Sequence, residues 1–399
     1  MKKIEKRKIR VLLVLSRIVI GGAVNCVYFL AKHLPKEKYT IELVGGGINE
    51  GDLNMAEVLS EEGIKVYKID SMKREISFKD DIVSVVKLYK LIHKIKPDIV
   101  FTHTAKAGAV GRFAAKLTGV PVILHTFHGH TFEHYFLPLK TSFYIFVERI
   151  LARMSTRIIA ISPSQVHDLA EKYNIAPPNK FRMIPIAVDI SRFQNIKRDK
   201  SYSKSVGIPE DSFIIGMIAR LVPIKNIPLI FKVMHILHTS GHKVHLLLVG
   251  DGEPEYHQYL ETMCRDMGLK DYVHFTGWDL DVEHIYASMD LFVLTSLNEG
   301  TPVTILEAMA ANIPVVSTDV GGVKDILLDN RNGLLCKSND EKDMAEKILK
   351  IMNDKDLRTK VVKNGAEFVE QYYDYTRMVS NIDQLYTELI NAKSIQVHD

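Results

Sequence analysis

Glu299 and Glu307 stand eight residues apart in SLNEGTPVTILEAMAANIPVV. Thr301 is a good N-cap and Pro302 a good first helical residue, so a helix is expected to start there, carrying Glu307 about a turn and a half inside while Glu299 stays in the loop. The N–H groups of Gly300 to Thr304 would then form an anion site suited to phosphate, because a helix N-terminus leaves its first donors unpaired. Two flanking carboxylates could accept hydrogen bonds from sugar hydroxyls, each worth roughly 1.5–3 kcal/mol when charge-assisted. A capped surface helix with incidental glutamates fits the same spacing. In IARLVPIKNIPLIF, Arg220 and Lys225 flank a second turn where Asn226 and Pro228 suit another helix start. Both cations can reach an anion there, unless they are a solvated surface pair.

Other candidates are weaker alone. Gly21 and Gly22 follow the first apolar run and would allow close backbone approach to a phosphate or an acceptor. Gly250 and Gly252 after LLLV are also ordinary turn chemistry. Trp278, the only tryptophan, is compatible with a packed core position. HTFHGH places His125, His128 and His130 at a strand end, with His134 shortly after. Alternation on an extended segment puts His128 and His130 on one face, a conceivable zinc site, but no carboxylate or thiolate joins in and H-E-x-x-H spacing is absent. Asp279-Leu280-Asp281 spells D-x-D and reads here as a loop acid pair. In HTAKAGAVGRFAAK, Lys106 and Arg112 could face an anionic acceptor or simply form the basic side of an amphipathic helix.

The elements that must position these residues alternate. Short Val- and Ile-rich runs separated by amphipathic stretches indicate parallel sheets covered by helices, an α/β protein. Strands are expected at 10–15, 40–44, 99–102, 122–125, 158–161 and 182–184, then at 213–219, 245–249, 273–276, 291–295 and 314–317. A helix is expected over Asp80 to Lys96, stopped by Pro97. The polar segment QNIKRDKSYSKS, Gln194 to Ser205, reads as an interdomain linker. The architecture thus occurs twice: a domain at 1–195 and another at 206–374, with a terminal helix at about 375–399 packing back on the first. Two doubly wound domains facing each other would place a ligand cleft at the carboxyl ends of both sheets.

The length of 399 residues suits two cores better than one. A 46% hydrophobic and 25% charged composition excludes a disordered or fibrous chain. Residues 1–195 carry a net charge of +12 and the remainder −8, an asymmetry that suits an anionic partner for the first half: a phospholipid surface, a lipid-phosphate acceptor or a nucleic acid. No basic platform interleaved with aromatics supports nucleic acid. Three dispersed cysteines, Cys26, Cys264 and Cys336, indicate neither a disulfide framework nor a thiolate metal site and fit a reducing cytoplasm. The basic, apolar start superficially resembles a signal peptide, but Arg17 interrupts it, and the uncharged run Ile18 to Ala31 falls short of the roughly 20 residues a span needs.

In EGTPVTILEAMAANIPVVSTDVGG, from Glu299 to Gly322, the chain resembles glycosyltransferase family 4 of the GT-B fold, whose hallmark is E-x7-E followed by a small-residue-rich helix and a strand ending near Gly-Gly. The resemblance runs along essentially the whole chain, strongest from Arg220 to Gly333. It implies that Glu307 binds the donor ribose, that Glu299 and His128 contact the transferred sugar, and that Arg220 and Lys225 grip the diphosphate. It also implies that the backbone through Gly300, Thr301, Pro302 and Val303 holds sugar and diphosphate, and it puts Gly21, Gly22, Gly250 and Trp278 in the loops that meet phosphate and base. Asn226 replaces a frequent Gly, and Ile186-Ala187 replaces a usual Asn-Gly.

The resemblance therefore implies metal-independent, retaining transfer of a hexose or N-acetylhexosamine from a nucleotide sugar, UDP favoured, with no cofactor. The expected acceptor is a lipid-linked or polysaccharide hydroxyl in envelope synthesis, with peripheral contact at an anionic inner membrane face. An epimerase or phosphorylase on the same fold and a non-catalytic sugar-nucleotide-binding subunit are the alternatives. The full set Arg220, Lys225, Glu299 and Glu307 argues against the binding subunit.

Overall fold

A computed structural model describes residues 7–18, 21–46, 55–73, 77–129, 138–279 and 281–393. The chain divides into two units, Met1–Ala187 with Tyr375–Asp399, and Val188–Asp374.

The first unit alternates strand and helix: β1 Ile9–Leu15, α1 Gly22–His33, β2 Tyr39–Gly46, α2 Met55–Glu61, β3 Lys65–Ile69, α3 Phe78–Ile95, β4 Ile99–His103, α4 Ala105–Leu117, β5 Val122–Phe127, α5 Pro138–Met154, β6 Arg157–Ala160, α6 Pro163–His167 and β7 Phe181–Met183. The strands pair in parallel in the order β3-β2-β1-β4-β5-β6-β7. β1 and β4 are buried along almost their whole length because helices cover both faces, which is why VLLVL of β1 is a continuous apolar run and not an alternating one. Ser77 caps α3 through a bond from Asp80 N–H, and the helix ends before Pro97 as its sequence requires.

The second unit repeats the plan: α7 Ser201–Ser205, β8 Phe213–Ile218, α8 Ile227–Thr239, β9 Val244–Val249, α9 Pro254–Asp266, β10 Val273–Phe275, α10 Val282–Ser288, β11 Leu291–Leu294, α11 Val303–Ala310, β12 Val315–Thr318, β13 Leu334–Cys336, α12 Glu341–Asn353 and α13 Lys355–Tyr372. Its parallel order is β10-β9-β8-β11-β12-β13. Each sheet therefore has a switch point beside its first strand, at β1/β4 and at β8/β11, where loops diverge to opposite faces and open a crevice.

The last helix, α14 Tyr375–Ala392, belongs to the first unit. Tyr375 stacks on Phe29 with centroids 5.1 Å apart, Lys38 Nζ donates to Asp383 Oδ1 at 2.7 Å, and fully buried Tyr386 packs edge-on to Tyr39.

Three local expectations change. The strands β3 and β13 were not anticipated, because KVYKI and LLC are too short or too interrupted by lysine to stand out as apolar runs. The expected linker Gln194 to Ser205 lies inside the second unit. There the Asp199 N–H donates to the Ala287 carbonyl at 3.1 Å, Ser288 Oγ donates to the Asp199 carbonyl at 3.1 Å, and 201–205 is helical. Polar backbone pairing holds that segment, which apolar periodicity cannot reveal. The third change concerns the start of α11.

Candidate active site

In the second unit the loops after β8 and β11 are stitched together. Pairing with β9 continues past the end of β8: the Ala219 N–H donates to the Val249 carbonyl and the Leu221 N–H to the Asp251 carbonyl. Gly250 allows this approach, since with φ +130° a Cβ there would lie 1.9 Å from the Ala219 carbonyl oxygen. A 3-10 turn, Pro223–Lys225, follows and ends at Asn226, whose left-handed φ of 48° is one that Asn tolerates better than most residues. α8 then starts at Ile227 with Pro228 in its first turn.

From β11, Thr295 Oγ1 donates to the Lys225 carbonyl at 2.7 Å and the Leu297 N–H to the Ile224 carbonyl at 2.8 Å. These bonds bring the two residues chosen from sequence together: Lys225 Nζ donates to Glu299 Oε1 at 2.5 Å, and Ser296 Oγ donates to the same oxygen. Behind Glu299, its carbonyl accepts from the Gly322 N–H at 3.0 Å, and a Cβ at Gly322 would lie 1.9 Å from the Gly300 carbonyl. The Gly321-Gly322 pair is what lets the loop after β12 close on Glu299-Gly300.

α11 begins at Val303, one residue later than expected, with Pro302 and not Thr301 as its N-cap. Pro302 has φ −72° and ψ 110°, extended and not helical, so no side chain caps the helix. Thr301 Oγ1, expected as the cap, is instead buried and without a hydrogen-bond partner among the described residues. An uncapped helix start beside an orphaned hydroxyl and an ammonium is suited to receive anionic oxygens.

Glu307 lies on the fifth residue of α11, where Tyr286 donates its phenol to Oε2 at 2.9 Å. Burial pushes the Glu307 carboxyl up to about 7, partly opposed by the Tyr286 bond and the nearby Arg192 charge. Tyr286 and Arg192 were not singled out from the sequence, because only the fold brings them beside Glu307. Arg220 is exposed on the loop after β8, and Trp278 is exposed one residue past Gly277, whose carbonyl accepts the Gly250 N–H at 2.8 Å. Trp278 is therefore not the packed core residue its type allowed. Asp279 accepts the Asp281 N–H, and Asp281 holds His284 at 2.7 Å, so the D-x-D is used locally; Leu280 lies outside the described residues.

In the first unit Gly21 is the N-cap of α1 and Gly22 its first residue; Ile20 lies outside the described residues. At the β1/β4 switch point Ser16 Oγ and Thr104 Oγ1 are 2.8 Å apart. Next to them His103 Nδ1 meets His128 Nε2 at 2.9 Å, while His125 Nδ1 meets Thr102 Oγ1 at 2.9 Å. Desolvation lowers all three imidazoles: His128 to about 4, and His103 and His125 well below 6.5, with Arg112 also acting on His125. All three are neutral at pH 7. His103 was overlooked although HTAKAG was read, because only the fold places it beside His128. His130 and His134 lie outside the described residues; among those described, no three His, Cys, Asp or Glu are arranged to hold a metal.

Two further expectations are corrected. Arg112 does not offer its charge to a ligand: it is fully buried, bonded through Nη2 to both Glu148 oxygens at 3.0 and 2.7 Å and through Nε to the Gly108 carbonyl. Lys106 is paired with Asp81. Each cation is thus taken up by a carboxylate of a neighbouring helix, Arg112 by buried Glu148 on α5 and Lys106 by partly exposed Asp81 on α3.

Comparison with known proteins fits this geometry. Residues 20–192 match the family model "Glycosyltransferase Family 4" and residues 198–368 the model "Glycosyl transferases group 1". The chain is 29% identical over 367 residues to an Escherichia coli UDP-Gal:alpha-D-GlcNAc-diphosphoundecaprenol alpha-1,3-galactosyltransferase, covering 90% of this chain and 92% of that one. It is also 29% identical to the Staphylococcus aureus capsular polysaccharide biosynthesis glycosyltransferase CapM, covering 84% and 90%. Among solved structures, Anabaena HepE in complex with UDP and glucose superposes with a TM-score of 0.82 at 20% identity over 95% of this chain and all of that one, a likeness of fold.

Proposed function

The chain belongs to the family 4 glycosyltransferases and has their GT-B fold of two Rossmann-like units, and from that premise we propose that it is a retaining, metal-independent enzyme. It would transfer a hexose or N-acetylhexosamine from a nucleotide sugar, UDP-linked by preference, to a hydroxyl of a lipid-linked or polysaccharide acceptor in envelope glycan synthesis. Acceptor and donor follow the E. coli relative, whose name specifies a UDP-sugar and a diphosphoundecaprenol-linked sugar.

The observation that carries the reading is the Lys225–Glu299 pair set against the uncapped start of α11 and the orphaned Thr301 hydroxyl. The helix N-terminus, Thr301 Oγ1, Lys225 and Arg220 are assigned to the diphosphate. They stabilise the negative charge that grows there as the bond from the anomeric carbon to the phosphate oxygen breaks. Glu307, on the same helix, accepts the ribose hydroxyls, and exposed Trp278 meets the base. Glu299 accepts hydroxyls of the transferred sugar and is held for that task by Lys225 and Ser296. Neutral His128 is assigned to the sugar as the resemblance implies. The acceptor oxygen forms the new bond to the anomeric carbon, and its proton goes to the departing phosphate oxygen, so no protein base is needed.

The acceptor class brings the protein to an anionic membrane at its cytoplasmic face as a peripheral partner. No helix among the described residues is long and apolar enough to cross a bilayer. The test is product analysis with radiolabelled UDP-sugars and a polyprenyl-diphosphate-sugar acceptor, with the new linkage read by NMR. An α-linked product from an α-linked donor supports the proposal; an inverted linkage, or free epimerised sugar with no acceptor product, overturns it.

A further inference from the structure

Three consecutive helices of the first unit expose apolar surface beyond what folding uses. The inward face of α5 is already occupied: Tyr144 and Ile145 pack with Phe127, Ala152 and Ile158, and Glu148 holds Arg112. Leu139, Phe143, Phe146 and Ile150, at i, i+4, i+7 and i+11, nevertheless form a second stripe, 37 to 88% exposed. α3 repeats the arrangement. Ser84, Leu88 and Ile92 face inward, while Phe78, Ile82, Val86 and Tyr89 form an outer stripe that is 40 to 83% exposed. α4, packed against both, adds Phe113 and Leu117. Of the sixteen exposed large hydrophobic residues described, eleven lie on these three helices, whereas soluble surfaces scatter such residues singly.

The fully exposed charge beside these stripes has one sign; the partly exposed acids Asp80 and Asp81 lie only in the first turn of α3, and Asp81 is paired with Lys106. Lys79, Lys87, Lys90 and Lys94 run along α3 next to its apolar stripe, Lys116 is exposed on α4, and Arg149 and Arg153 are exposed on α5. No exposed residue of the three helices is acidic. A second copy of this face would set cations against cations, whereas an apolar stripe bordered by lysines complements a bilayer whose acyl boundary lies beneath anionic headgroups.

We propose that the outer faces of α3, α4 and α5 are a membrane-docking surface. The stripes of α3 and α5 enter the headgroup–acyl boundary, and the basic residues of all three helices hold anionic lipid phosphates. This deepens the reading of a lipid-linked acceptor, and it rests on that reading only for its purpose, since docking needs no donor.

The test uses the full-length protein in flotation with vesicles of phosphatidylcholine alone or mixed with phosphatidylglycerol. It compares wild type, the pair Phe143→Ser with Phe146→Ser, and the pair Lys87→Glu with Lys90→Glu. The expected result is salt-sensitive binding to the anionic vesicles, weakened at least about tenfold in each pair, with UDP binding and unfolding midpoint unchanged. Equal flotation of all three proteins, or no binding of wild type to anionic vesicles, overturns the proposal. So does a serine pair that turns a dimer into a monomer while still binding vesicles, which would make the face a self-association surface. A protein that docks in this way yet transfers no sugar leaves this inference standing and removes the proposed function.

Discussion

Lys225 Nζ and Glu299 Oε1 lie 2.5 Å apart, so the cation assigned to a diphosphate and the carboxylate assigned to a sugar rest on each other. The side chains are largely buried, 19 and 12% exposed, which makes each the other's compensation for lost water. Replacing Lys225 by Ala removes the charge-assisted bond that the proposed function assigns to the donor and strands Glu299. UDP-sugar affinity, read by calorimetry, is expected to fall about 10- to 100-fold, since such a bond is worth roughly 1.5–3 kcal/mol.

Glu307 gives a pH dependence of one sign. Its carboxyl is raised from 4.5 to about 7, so the folded state holds a proton that the unfolded state has lost, and stability falls as pH rises from about 4.5 through 7. The contribution is at most on the order of 3 kcal/mol. Glu307→Gln is expected to flatten thermal midpoints over that window. In the wild type, nucleoside affinity should rise with pH through 7 if the ionised carboxylate accepts both ribose hydroxyls, as the proposed function assigns it.

The histidines give the opposite sign. His103, His125 and His128 are all lowered, so the unfolded chain binds protons that the folded one refuses. The stability they contribute is complete above about 6.5 and is lost progressively as pH falls below it, for His128 towards about 4. Urea midpoints measured at falling pH are expected to drop more steeply in the wild type than in a His125→Asn variant. The kcat profile should show no imidazole titrating near 6.5 from His128.

Arg112 and Glu148 test the corrected reading of α4. Arg112→Ala leaves a carboxylate buried alone and should cost about 3–5 kcal/mol of unfolding free energy, while the pair Arg112→Met with Glu148→Leu should cost far less. Donor affinity of the double variant should match wild type, as a structural pair requires.

Metal independence is the plainest expectation. EDTA should leave turnover unchanged, and Asp279→Asn with Asp281→Asn should alter it little, because Asp281 is engaged with His284.

Much of this was legible in the sequence, for identifiable reasons. Continuous apolar runs such as VLLVL and LLLVG announce buried parallel strands, and the loops that follow such strands carry Lys225, Glu299 and His128 to the ends of the sheets. What escaped has physical causes too. β3 alternates with lysines at a sheet edge, and Pro302 takes the cap that Thr301's hydroxyl suggested. The direction of Arg112 depends on a carboxylate 36 residues away, and the partnership of His103, the last residue of β4, with His128, just past the end of β5, joins segments adjacent only in space.

The most direct test of the account is Glu299→Ala, with sugar transfer and UDP binding measured on the same preparation. The account predicts that transfer to acceptor is abolished while UDP still binds, since Glu299 is assigned to the sugar and the nucleotide keeps Glu307, Arg220 and the start of α11. Unchanged turnover in that variant would contradict it.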